Sequence, residues 1–597
     1  TAFSDPNDNA SQYLLIASNL KVVTKNLATN ATVDIAYPSG ETVPPQSSML
    51  QTFNKVFIFR KGQVALEWDG SFSTVTAGSF VVGRTYTITA VGNTDFQAIG
   101  ASADTIGVTF TATGVGSGTG TATSAFSKVA SGTYTQPTIL DISGFVITNG
   151  LATATVSNTL SQGDKVILVT AGGSTLTKGN QFTVSEASSS AFKFFVDTAD
   201  VTNQTDVEFT QKVSVGLGFT HMPAPEFAVY HQRRLVMPFQ FSVNASLNSY
   251  TSRGILDEVI ASDILDSDTY DQIYAQYRFN AGEADFTVGL HSFSEDNLMV
   301  FNRNSIHLIS NTTALQSAST KLLTDEVGCI ARQTITQVGN QVIFLSDNGV
   351  YSTQFFDEYN LRGTETPLSE PINETIKRIN KDQSTQAVAV YFDNRYFIAV
   401  PLDDALRNNA ILIYNFLNKQ WESIDNVDSE DWDIENLIVA GEGSQRGVYA
   451  INRLGGIHKI DARLQGDDLI NVSIGGSNET KDVKGSITTR QYTFGNMTRK
   501  NWKEFQMHVE SSADNNSNFD LSAETENPDG TFTLGTLNSF NGNADLLKAE
   551  DVSIRGRIGN RRGHGIQFTI NNTQGRPRIR SLQTQGSTSF RSTQKAE

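Results

Sequence analysis

The sequence predicts a mainly β protein: a β-propeller of five to seven blades that carries two small β inserts and ends in a C-terminal antiparallel β-sandwich. Three observations predict it. Charged residues make up 18% and apolar residues 38% of the 597 positions. The balance is Thr, Ser, Asn, Gln and Gly, which favours strands and turns because β-branched Thr suits a pleat while Gly and Asn supply turns. Strand pairs with turn signals recur at roughly 40 to 50 residues, the spacing of a four-stranded propeller blade. After about Gly485 the strands lengthen and alternate over roughly 110 residues, as in a sandwich.

Residues 1–77 are read as the propeller start and first blade, with the hairpin Lys55–Arg60 and Gln63–Trp68 turning at Lys61-Gly62. Residues 78–133 are a Gly/Thr-rich β insert. Its segments Arg84–Thr89 and Gly107–Ala112 alternate like strands, and its run Gly114–Gly120 lacks the following helix and acid that a phosphate cradle needs. Residues 134–215 form an immunoglobulin-like insert, with strands at Leu151–Val156, Lys165–Val169, Gln181–Val184 and Ala191–Val196. Both inserts are expected in one connection between the first and second blades, because radial repetition tolerates long excursions.

Residues 216–480 supply the remaining blades. Their hairpins are Phe227–His231 with Leu235–Pro238, Asn297–Phe301 with Ser305–Ile309, Gln341–Leu345 with Val350–Gln354, Arg395–Val400 with Ala410–Asn415, and Gly447–Ile451 with Gly456–Ile460. Asn348-Gly349 gives the two positive-φ positions of a type I′ turn. Ser369–Ile379 reads as one short amphipathic helix between blades, with Pro371 near its start and Ile372, Ile376 and Ile379 on one face. Residues 481–597 are the sandwich, and its end is basic: Ser553–Glu597 holds eight Arg, one Lys and one acid. That is +8 against a total of −17, which leaves −25 on the first 552 residues.

An overall negative charge repels phosphate and argues against a nucleic-acid-coating role. The single Cys329 allows no intramolecular disulfide. No stretch reaches the ~18–20 apolar residues of a membrane span, and the first residues have no basic or apolar leader segment, so folding in the cytosol is expected. Nothing matches the P-loop, H-E-x-x-H, C-x-x-C or G-x-S-x-G patterns. Ser346–Tyr351 has the wrong spacing for a sialidase Asp-box turn and reads as an ordinary hairpin. The protein is therefore expected not to be an enzyme, with no catalytic residue, cofactor or metal.

Two acidic clusters, Asp257, Glu258, Asp263, Asp266, Asp268 and Asp271, then Asp425, Asp428, Glu430, Asp431, Asp433 and Glu435, read as solvated acidic surface. Neither has an EF-hand loop. His231, His307 and His458 lie in or beside strand pairs and read as structural. Arg555, Arg557, Arg561 and Arg562 are candidate subunit-interface residues, since basic and acidic faces on one chain are complementary in a ring. The alternative for them, nucleic-acid binding, lacks interleaved aromatic residues.

The segment Phe227–Val236 (FAVYHQRRLV) resembles an "fHqxRL" line of the tail tubular protein B, or tail nozzle, family of short-tailed bacteriophages. Gly563–Ile570 followed by Gly575–Ile579 is similar to the end of such phage propeller proteins, and phage structural proteins carry inserts like Tyr86–Ile88 with Phe110–Gly114. The resemblance implies a virion structural protein assembled in the host cytoplasm. It implies a homohexameric ring at the distal tail, bound to a tail adaptor protein and tail fibres, enclosing a channel through which double-stranded DNA leaves during genome ejection without sequence-specific binding. The alternative is a tail-associated host-receptor or glycan-binding component whose two inserts make the contact.

Overall fold

A computed structural model describes residues 2–588 apart from short stretches, the longest of which are 130–138, 213–217, 252–257, 280–284, 427–432, 461–466, 471–478, 511–517 and 542–550. The chain divides into two compact units, Thr1–Val427 with Ile438–Arg446, and Asp428–Leu437 with Gly447–Glu597.

The first unit is a succession of antiparallel sheets, and six of those described have four strands in meander order. Sheet 1 is Ala2–Asp5, Asp8–Ala17, Lys21–Asn26 and Thr32–Ala36. Sheet 2 is Ser48–Thr52, Lys55–Arg60, Gln63–Trp68 and, after an excursion, Ser127–Lys128. Sheet 3 is Val229–His231, Arg234–Pro238, Glu258–Ala261 and Gln276–Arg278. Sheet 4 is Thr287–Ser292, Asn297–Asn302, Ile306–Ser310 and Ser319–Thr324. Sheet 5 is Thr336–Val338, Gln341–Ser346, Gly349–Asp357 and Asn360–Gly363. Sheet 6 is Val388–Phe392, Arg395–Val400, Ala410–Asn415 and Gln420–Asn426.

These sheets stack in chain order, as propeller blades do, and the second strand of each shows why. Side chains alternate across a strand, so a strand between two neighbouring sheets must be apolar on both faces. Val56 and Ile58 join Leu15 and Val22 of sheet 1, while Phe57 and Phe59 join Leu235 and Met237 of sheet 3. Val236 meets Leu298 and Val300. Met299 and Phe301 meet Val342 and Phe344, and Ile343 and Leu345 meet Tyr396 and Ile398. The fourth strands have one wet side: Ser319–Thr324 and Gln420–Asn426 are mostly exposed.

Two corrections to the expected layout follow. Residues 1–77 hold a complete sheet and three strands of a second, where one blade was expected. The first insert also interrupts sheet 2 between its third and fourth strands rather than joining two blades. The closing strand Ser127–Lys128 has two residues, too few to show any periodicity. Only its pairing with Glu67 and Leu66 identifies it.

The first insert is one sheet with Thr109–Thr111, Thr85–Ala90, Thr121–Ser124 and Thr74–Thr76 as successive neighbours. It covers its own core of Phe80, Tyr86, Ile88, Phe96 and Phe110. Its glycine run is packed tightly: a Cβ on Gly120 would lie 2.6 Å from the Val91 carbonyl oxygen. Gly120 N–H donates to Thr94 Oγ1 at 2.8 Å. The second insert is a two-sheet sandwich around Phe145, Phe192, Phe194 and Phe209. The expected helix is a 3₁₀ turn, Glu370–Ile372, followed by the single α turn Asn373–Ile376, with Ile376 and Ile379 buried between sheets 5 and 6.

In the second unit, Gly447–Asn452, Ile457–Ile460, Asp467–Ile470 and Glu479–Lys481 pair in sequence. The sandwich follows. One sheet orders Gly485–Thr488, Ile566–Gln574, Asn518–Asn527 and Gly530–Asn541. The other orders Asp551–Gly563, Lys500–Glu510 and Arg578–Thr588. Trp502, Phe505, Met507 and Val509 meet Phe519, Leu521 and Phe568 between them.

Candidate assembly surfaces

The four candidate arginines lie on Asp551–Gly563, an edge strand of the three-stranded sheet. Arg555 pairs in register with Gln506, Arg557 with Glu504, Arg561 with Trp502 and Arg562 with Asn501. Period-2 alternation puts Ile554 and Ile558 on the core side and Arg555 and Arg557 on the other. The ladder then shifts between Trp502 and Glu504, and Gly559 takes φ +81°. This is the mark of a bulge, which re-aims the side chains that follow, and both Arg561 and Arg562 are exposed. Arg555, Arg557 and Arg562 make no ion pair among the described residues. Cations on an edge strand also discourage unwanted strand addition, so the same residues keep the edge open to a charged partner and closed to a bare strand.

On the other sheet of the sandwich, Asp520 and Glu524 alternate with the buried Phe519, Leu521 and Ala523 and face away from the core. One sandwich therefore presents an acidic face and a basic edge.

The first acidic cluster is not a uniform surface. Glu258 is 7% exposed, takes a hydrogen bond from Gln276 Nε2 at 2.9 Å and lies 3.7 Å from Arg278 Nε. The expectation of a solvated carboxylate is corrected there: the strand Glu258–Ala261 is buried along its length. Asp263 is 3.8 Å from Arg234 Nη1, and Asp266 is half-buried. In the second unit Asp433 is half-buried, and its carbonyl accepts from Arg453 N–H at 3.0 Å. Asp257, Asp268, Asp428, Glu430, Asp431 and the Asp271 side chain lie outside the described residues. Among those described, no three His, Cys, Asp or Glu side chains are grouped to hold a metal ion.

The hairpin around His231 joins sheets. Gln232 and Arg233 have φ of 51° and 59°, so the turn is built from two non-glycine residues in the left-handed region. His231 Nδ1 lies 2.7 Å from Ser292 Oγ and its Nε2 2.6 Å from Thr312 Oγ1, both of sheet 4 or the loop after its third strand. A neutral imidazole serves both hydroxyls, since one nitrogen donates and the other accepts. Burial pushes its pKa down to about 4, with the Asp296 charge opposing. His291 repeats the device one sheet later: its Nε2 is 3.1 Å from Gln337 Oε1, and Gln337 Nε2 donates to the Phe293 carbonyl at 3.2 Å. Arg332 stands 4.4 Å over the Phe227 ring, and burial lowers its pKa to about 10. His291, Gln337 and Arg332 carry no local sequence signal for these joints, because the partners across them are 44 to 105 positions away.

One constellation has the residue types of a hydrolase. Ser305 Oγ donates to Asp285 Oδ2 at 2.6 Å and lies 3.1 Å from His307 Nε2. The order is wrong for nucleophilic catalysis, which needs the histidine between the hydroxyl and the acid. Ser305 is also only 2% exposed. The trio closes the turn between two strands, with Asp285 Oδ1 accepting from Asn304 N–H at 3.0 Å. Cys329 is buried, and desolvation raises its thiol pKa to about 12, so it is a packing residue.

Residues 249–404 match the family described as bacteriophage P22 Gp10, β-propeller. The match contains all of sheets 4 and 5 and the first two strands of sheet 6. No curated protein matches. Similar solved structures include apo AztD from Citrobacter koseri, at 10% identity and TM-score 0.30, covering 76% of this chain and 92% of that one. The phage phi92 endosialidase is 10% identical with TM-score 0.25, covering 77% of this chain and 61% of that one. Saccharomyces cerevisiae Sqt1 is 9% identical with TM-score 0.28, covering 74% and 89%. At such TM-scores the three structures carry no argument about this chain.

Proposed function

We propose that this protein is a structural component of a phage tail, forming a homohexameric ring at the distal end that encloses the DNA exit channel during genome delivery. The observation that carries the phage reading is the match of residues 249–404 to a phage β-propeller family. The ring rests on the two-signed sandwich. A basic edge at Arg555, Arg557, Arg561 and Arg562 and an acidic face at Asp520 and Glu524 favour a head-to-tail contact between copies, and a head-to-tail contact closes into a ring when its rotation permits. The −25 on residues 1–552 would keep a passing duplex from sticking to the wall. The partners in this reading are a tail adaptor protein, tail fibres and DNA held without sequence preference, and the protein works without catalysis or cofactor.

Electron microscopy of tail particles and mass photometry of the purified chain test it. A six-fold ring at the tail end is the expected result. A monomer at micromolar concentration together with particles lacking such a ring overturns it.

A further inference from the structure

We infer that Arg332, Phe227 and Gly289 form a site for a ligand carboxylate where the first strands of sheets 3 to 5 converge. Arg332 opens the 3₁₀ turn Arg332–Thr334, just before the first strand of sheet 5. Its side chain passes Gly289 in the first strand of sheet 4 and ends with Cζ 4.4 Å from the centre of the Phe227 ring, just ahead of the first strand of sheet 3. A side chain spans an intervening sheet only at the sheets' inner edges. The first strands of sheets 3 and 4 do lie against each other there, and the turn lies against the first strand of sheet 4. Gly289 makes the passage possible: a Cβ on it would overlap Ile335 Cδ1 and lie 3.4 Å from Arg332 Cγ.

The guanidinium at the end of this span lacks what a buried cation needs. Its Nη1 is shut off from solvent and has no hydrogen-bond partner, and Arg332 makes no side-chain hydrogen bond or ion pair among the described residues. The Glu226 charge acts on it without an ion-pair contact, and at a pKa of about 10 the group stays charged at neutral pH. Buried charges are otherwise paired, because desolvation is costly and an unmatched donor adds to that cost. The Phe227 face attracts the cation from one side. It offers nothing in the guanidinium plane, where all five N–H donors lie. A water molecule there satisfies a donor and leaves the charge uncompensated.

The group that fits is planar and singly charged. A fork of coplanar donors matches the two oxygens of a carboxylate, and the Glu226 charge repels a dianion twice as strongly as a monoanion. The residue as a whole is half-buried, so the site is open to solvent. The inference concerns the blades alone and stands whether or not the protein builds a tail ring.

The test is calorimetry and isothermal titration of the full chain with acetate and benzoate, beside chloride and inorganic phosphate at matched ionic strength. The expected result is saturable binding of at least one carboxylate, tighter than either inorganic anion and weakened tenfold or more in R332M. Without ligand, R332M is expected to melt no lower than the parent, since an apolar chain keeps the contact with Phe227 and removes the uncompensated charge. A purely structural arginine predicts the reverse. R332K keeps a charge but loses the fork, and is expected to lose binding by a similar factor. E226Q removes the competing charge and is expected to bind at least as tightly as the parent. No saturable binding of either carboxylate, tighter binding of chloride or phosphate, undiminished binding in R332M or R332K, a lower melting temperature of R332M, or weaker binding in E226Q each overturns the inference.

Discussion

The blades of the first unit and the sandwich of the second solve the same burial problem in opposite ways. A middle strand of a blade, such as Asn297–Asn302, is buried almost throughout, because sheets stand on both sides of it. A sandwich strand such as Lys500–Glu510 buries Trp502, Phe505, Met507 and Val509 and leaves its other side wet. The blade strand therefore spends its whole length on packing, while the sandwich strand keeps a free face for charge. That difference explains why Arg555 and Arg557 lie where they do, and why the buried His231 joint between stacked sheets is neutral.

The largest expected effect breaks the comparison unit by unit. Phe301→Ala removes a ring that packs 5.2 Å from Phe344 between sheets 4 and 5 and should cost about 3–5 kcal/mol. Trp502→Ala should cost a similar amount within the sandwich. Calorimetry is expected to show the first variant lowering one transition and the second the other; a single transition lowered equally by both would erase the division.

A smaller effect is expected at the hydrogen-bonded joints. His231→Ala leaves Ser292 and Thr312 hydroxyls without their partner, at about 1–3 kcal/mol each if neither finds water. The joint is also pH-sensitive. Because the folded pKa of His231 is depressed to about 4 from 6.5, the unfolded chain binds more protons between those values. Its stabilisation is complete above pH 6.5 and is lost as the pH falls toward 4. Denaturant unfolding at pH 7 and pH 5 should show this loss, and His231→Gln should reduce it; an identical pH slope in the variant would refute the role.

The smallest effect on stability, within about 0.5 kcal/mol, is expected for Arg555→Glu with Arg557→Glu, since both side chains are exposed. Sedimentation should nonetheless show weakened self-association, and salt should weaken the parent in the same direction. Unchanged association would separate the basic edge from assembly.

Much of the fold is legible in particular residues. Val56–Phe59, Leu298–Phe301 and Val342–Leu345 read as strands because each is an apolar run bounded by turn residues, and each is a second strand of a blade. Sheet 1 is harder to see: Asp8–Ala17 begins DNASQ and shows apolar character only from Tyr13. Of the candidate surface, the arginine edge is readable from alternation, but the exposure of both Arg561 and Arg562 depends on the bulge at Gly559. Glu258 looks like its acidic neighbours in sequence and is buried only because Gln276 and Arg278 come to it from the next strand of the sheet.

The sequence by itself determined the strands, their turns, the charge division and the absence of a local catalytic motif, because alternation and turn chemistry act between residues a few positions apart. Only the tertiary structure decided that Ser127–Lys128 closes a blade across a 58-residue excursion, that His231 reaches Ser292 and Thr312, and that the insert threonines meet in pairs across neighbouring strands. Those contacts are chosen by which sheet faces which, and a repeating two-residue pattern is the same on every strand and names no partner.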